Sequence, residues 1–299
     1  MKNFLKVFAS VYNVVFMFPK LVYLSGAFIN VLMMNVVKYI GLNGILSVNE
    51  MIMTRAFFAI LILLPFNWKE LKSLKNESKK TNLMILALGL ISVLDTYTWY
   101  QGLQTVPLNN AMILLFLSPI ITAVMSTIIL KEKITFDIIL KFIINISAIF
   151  LIYHFSIGKL TIGYFYLMSD FVIYGIIAIL IKKLDKFSAN FLVFIRLVII
   201  LPISAIIAHK LPTINIKVVI FIAIVVFGYI IERSFITYAF KTAKVVEIQP
   251  LRYFNIVFSS ILSYLILDER TTVWQFIGVS IIIFGTIIID SLKKIITKK

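Results

Sequence analysis

The chain has 299 residues, 61% of them apolar and 14% charged, with a mean hydropathy of +1.04. That composition excludes a soluble globular domain and marks a polytopic membrane protein. The formal charge of +16 lies in short patches between hydrophobic segments, which favours membrane topology over nucleic-acid binding. With no Cys and only His154 and His209, disulfides, thiolate chemistry and a histidine metal site are set aside.

In chain order, Lys2 and Lys6 precede the apolar run Val7 to Phe18, a start that resembles a signal peptide. A second apolar stretch follows at once, so residues 1–20 are read as an N-terminal extension, either an interfacial amphipathic helix or part of the first span. Apolar stretches then fall at about 21–40, 50–66, 82–104, 108–130, 135–156, 160–181, 187–208, 215–240, 245–267 and 272–290. They predict an all-α fold of ten transmembrane helices in two five-helix units, 21–156 and 160–290, followed by a basic tail, 291–299. Lys and Arg in alternate connections are strongly biased. Twenty, including Lys69 to Lys80, Lys131 to Lys141 and the C-terminal lysines, fall on one side, against Lys159, Lys210, Lys217 and Arg270 on the other. Because basic loops stay in the cytoplasm, both termini are expected there.

The two units repeat one another. An offset of 137 residues aligns Asp95 with Glu232, Gly102 with Ala239 and Glu132 with Glu269. It also aligns Ser118, Thr122 and Ser126 with Asn255, Ser259 and Ser263, two stripes in which polar residues recur every four positions on one helix face. Arg55 matches Arg196 at an offset of 141, and Lys38 matches Lys183 at 145. Five spans per unit is an odd number, so the second unit is inserted upside down relative to the first.

Arg55 near the start of the second helix, Gln101-Gly102-Leu103 closing the third, Ser118-Pro119 in the fourth and the Lys131-Glu132 exit occur in this order, and the Arg and the acidic exit recur in the second unit. This pattern resembles the EamA family of the drug/metabolite transporter superfamily over nearly the whole chain. Within it, Pro250-Leu251-Arg252-Tyr253 is similar to the Arg-Tyr segment of S-adenosylmethionine uptake transporters. The resemblance implies a transporter, not an enzyme, in a cell inner membrane. It carries a small polar solute, S-adenosylmethionine or an exported amino acid, drug or other metabolite, with no cofactor. Protons are the candidate coupling ion and a homodimer the candidate assembly.

Independently of that resemblance, a charged side chain inside a span costs roughly 2.5–3.5 kcal/mol on insertion scales, so its default place is a polar cavity. Asp95 shares a helix face with Thr98, Trp99 and Gly102, which would bring a carboxylate, a hydroxyl and a large ring together. The competing reading is that Asp95 pairs with a base such as Arg55 and only fixes packing. Asp170 falls on one face with Tyr166 and Tyr174 and has no aligned repeat mate. Arg252 heads the stripe of Asn255 and Ser259, where its two-donor fork suits a substrate carboxylate or phosphate. Glu232 is a secondary candidate, since the adjacent Arg233 can neutralise it, and Ser118, Thr122 and Ser259 are secondary because small polar residues also drive close helix packing. Arg55 and Arg196 are read as structural bases reaching an interface, and Lys38 as a helix-end anchor. Helices three, four, eight and nine are expected to line the site.

An intramembrane hydrolase or transferase would need a nucleophile, base or metal, yet the chain has no His-Glu-x-x-His, no Gly-x-Ser-x-Gly and no phosphate loop. A non-transporting scaffold is the remaining class. It makes no demand for paired intramembrane carboxylates.

Overall fold

A computed structural model describes residues 18–106, 117–153, 161–208, 215–267 and 273–296. Most of the N-terminal extension and the acidic exit Glu269 lie outside the described residues, as do Lys159, Lys210 and Arg270.

Local signals set the helix boundaries. Pro19 opens α1 (Pro19–Leu42) at a position where its missing N–H costs nothing, and Gly44, at φ +61°, turns the chain after it. A capping box starts α2 (Val48–Ser73): Ser47 Oγ accepts from the Glu50 amide while Glu50 Oε2 accepts from the Ser47 amide at 2.8 Å. Ser78 caps α3 (Lys79–Thr105) by accepting from the Thr81 amide. Helix α4 (Leu117–Leu130) stops at Lys131, which sits in the left-handed region at φ 57°. The first unit closes with α5 (Phe136–Tyr153). The second holds α6 (Ile162–Lys183), α7 (Ala189–Ala208), α8 (Ile216–Thr242, capped by Asn215), α9 (Phe254–Leu267) and α10 (Val273–Ile296).

Helices α1, α2, α3, α6, α7 and α8 are long and apolar enough to cross a membrane, and Leu117–Leu130 and Phe276–Ile289 are shorter apolar segments. Polarity is reversed relative to a soluble protein. Phe66 and Phe136 are 78% and 77% exposed, whereas Arg55, Asp95, Asp170 and Arg196 are each 2% exposed. Large apolar rings outside and charges inside suit a hydrocarbon solvent.

Helix packing has the symmetry of the repeat. Helix α1 packs on α8, and exchanging the units turns this pair into α6 on α3; likewise α4 on α6 becomes α9 on α1, and α3 on α7 becomes α8 on α2. The pairs α2–α7 and α5–α10 map onto themselves and so mark the pseudo-two-fold axis. Equivalent lysines confirm the correspondence. Lys38 Nζ donates to the carbonyl of Val106, which caps α3, at 3.0 Å, and Lys182 Nζ donates to that of Ala243, which caps α8, at 2.8 Å. A cation at the carbonyl end of a helix satisfies orphan acceptors and complements the dipole. The structural mate of Lys38 is therefore Lys182, not the Lys183 suggested by the sequence offset. The resulting offset of 144 places Gly26 of α1 at the position of Asp170 in α6.

Candidate functional site

The region expected to be one continuous helix from residue 245 is broken. After the single turn Val245–Ile248, residues Gln249–Tyr253 form a 3₁₀ run containing Pro250, and only then does α9 begin. Proline supplies no amide donor, and such a break is tolerated at this depth because the whole run is buried in protein. Arg252 is thereby presented from a helix start toward the centre of the molecule.

There a cavity lies among α1, α3, α6, α8, this 3₁₀ run and the start of α9. Asp95, Trp99, Asp170, Tyr174, Arg252, Asn255 and Glu232, from five separate elements, all line it. Ser118 stands behind, accepting a 2.6 Å hydrogen bond from Arg252 Nη1. Thr122 and Ser259 are buried but do not line the cavity, and Thr122 packs where Gly175 lets α4 and α6 approach. Helix α4 thus contributes only through Ser118, and α1 and α6 take the place expected for it.

The charges are gathered but loosely engaged. Asp95 Oδ2 faces Arg196 Nη2 at 3.5 Å and Arg233 Nη2 at 3.7 Å, Glu232 Oε1 faces Arg233 Nε at 3.4 Å, and Asp170 Oδ2 faces Arg252 Nη2 at 3.9 Å. All exceed ordinary charge-assisted hydrogen-bond lengths. Asp95 Oδ2, Asp170 Oδ1 and Asn255 Oδ1 accept no hydrogen bond from the protein. Glu232 Oε1 accepts one from Asn30 Nδ2 at 3.0 Å. Aromatic faces complete the wall: the Arg252 guanidinium lies 3.7 Å over the Tyr174 ring, whose hydroxyl is 3.4 Å from that of Tyr23.

Three expectations need correction. Asp95 pairs with Arg196 of the opposite unit and with Arg233, while Arg55 donates to Tyr100 Oη at 2.7 Å. Neither Arg55 nor Arg196 reaches an interface; both are buried, because each finds polar or aromatic partners inside. Thr98 spends its hydroxyl on the Leu94 carbonyl of its own helix, so it brings none to the cavity. Sequence reasoning also missed Tyr23 and Asn30, since α1 carries no acid or base at that depth to draw attention. Among the described residues no cluster of three His, Cys, Asp or Glu side chains could hold a metal ion.

The acidic exit of the fourth helix has a structural task. The Glu132 carboxylate accepts from the amides of Val245 and Val246 at 3.1 and 2.9 Å, so the end of the first unit's fourth helix caps the turn that leads to Arg252.

Duplicated helical halves enclosing a buried charged cavity define a polytopic membrane protein with a polar centre. The EamA-like transporter family matches residues 14–154 and again 161–290, and the chain belongs to that family. A protein of known crystal structure superposes with a TM-score of 0.69 at 13% identity, over 90% of this chain and 96% of that one, which shows a shared fold. Nothing among curated proteins matches the sequence.

Proposed function

We propose that the chain is a secondary transporter that moves a small polar metabolite by alternating access, its two halves rocking about the central cavity. The supporting observation is the buried set of three carboxylates held at 3.4–3.9 Å from their guanidiniums around an open volume. A purely structural network would close to hydrogen-bond length, because unsatisfied buried charge is costly. Looser pairs leave acceptors and donors for a solute. In this reading Asp95 and Asp170 receive its cationic groups, Trp99 and Tyr174 its flat or apolar parts, and Arg252 with Asn255 its polar oxygens. Glu232 and Asp95, on equivalent helices, face one pathway from the two halves and are the groups that would carry a coupling proton.

The similarity around Pro250 to Tyr253 makes S-adenosylmethionine a first solute to test, with amino acids, nucleosides and cationic drugs as the alternatives. Purified protein reconstituted in vesicles is expected to give saturable flux of one of these classes, and that solute is expected to raise the melting temperature. Absence of flux across the whole panel would overturn transport in favour of a membrane scaffold. The basic bias of the loops supports both termini lying on the cytoplasmic side of an inner membrane. Tags at the two ends, probed with a membrane-impermeant reagent, should both be protected in intact cells.

A further inference from the structure

A second cavity adjoins the first and shares Asn30, Trp99, Glu232 and Arg233 with it. Arg55 lines it. This guanidinium is 2% exposed, donates from Nη1 to Tyr100 Oη and lies 4.1 Å over the Tyr229 ring, yet its Nε and Nη2 have no hydrogen-bond partner. The Tyr229 hydroxyl has none either.

The repeat shows what is missing. Arg196, its mate, donates from Nε to Ser92 Oγ at 2.6 Å and faces Asp95 Oδ2 through Nη2. The offset of 137 that pairs Asp95 with Glu232 pairs Ser92 with Tyr229. In one half the protein supplies a hydrogen-bond acceptor for Nε and sets a carboxylate 3.5 Å from Nη2 without a hydrogen bond; in the other a ring replaces the serine, and Glu232 is engaged by Asn30 and Arg233. The Nε and Nη2 edge of a guanidinium is the one that grips a carboxylate side-on with two parallel bonds. Arg55 and Arg233 against Glu232 leave the cavity a formal surplus of one positive charge, and Met33, Met34, Val37 and Leu103 supply apolar wall.

We propose that this second cavity is the carboxylate subsite of the transported solute, with Arg55 as its fork and the Tyr229 hydroxyl as a third donor. The proposal rests on the transport reading and names the acidic group the solute carries.

Calorimetric titration of the purified full-length protein with benzoate and its uncharged isostere benzamide tests it. Benzoate is expected to bind saturably and at least about tenfold more tightly than benzamide, and Arg55→Gln to remove that preference. Glu232→Gln, which deletes the opposing charge, is expected to tighten benzoate by about threefold or more. A gain of affinity cannot come from misfolding, so this variant decides the matter where Arg55→Gln does not fold. Equal affinity for the two probes, no saturable benzoate binding, or unchanged or weaker benzoate binding by Glu232→Gln would each overturn the subsite. Solute flux without benzoate binding would sink the subsite and leave transport standing, whereas benzoate binding without flux would support the subsite and count against transport.

Discussion

Arg252 crosses from the second unit into the first, where its Nη1 donates to Ser118 Oγ at 2.6 Å while its plane covers the Tyr174 ring. One side chain therefore connects α4, α6 and the 3₁₀ run. Lysine keeps the charge but neither the fork nor the flat face. Arg252→Lys is expected to lower transport by about tenfold, and a double-mutant cycle with Ser118→Ala to show roughly 1–2 kcal/mol of coupling in unfolding experiments. Additive effects would show that the hydrogen bond carries no weight.

Asp95 faces two guanidiniums, that of Arg196 buried and that of Arg233 partly buried. Replacing it with Asn leaves Arg196 and Arg233 undercompensated, so Asp95→Asn is expected to cost about 3 kcal/mol of stability as well as transport. Flux normalised to the folded fraction in vesicles separates the two effects. Wild-type flux per folded molecule would remove Asp95 from the site.

Glu132 and Lys131 act on neighbouring features with opposite signs. Glu132→Gln weakens the cap on Val245 and Val246, with an expected loss of about 1 kcal/mol. Lys131→Gly relieves a left-handed backbone that glycine adopts freely, with an expected gain of about 1 kcal/mol. Denaturation midpoints for the pair should move in opposite directions.

At Gly26 a β-carbon would come within 3.1 Å of the Phe235 Cβ and 3.4 Å of the Glu232 carbonyl, neither of which can swing aside. Gly26→Val is expected to separate α1 from α8 and lower stability by roughly 1–3 kcal/mol. Thermal unfolding in detergent measures it.

The architecture was legible because it rests on periodic signals: Asp95 and Glu232 at one offset, the acidic exits and the loop charges mark the duplicated halves without any coordinates. Seven polar or aromatic candidates were legible for a related reason, since charge inside a span has few places to go. Pairings were not. Whether Asp95 meets Arg55 or Arg196 depends on α3 packing against α7 of the opposite unit, and no spacing along one helix encodes that. The break at Pro250 was hidden by its apolar neighbours Leu251, Tyr253 and Phe254.

Asp170 stands where α1 has Gly26, so the units differ by an acid that lines the central cavity from one of them only. Two identical halves would give the two facing states equal energy. Under the proposed alternating access, this acid on one side only is expected to make those states differ in energy so that one dominates at rest, and a solute is then expected to meet unequal half-saturation concentrations at the two membrane faces while the equilibrium it can reach is unchanged.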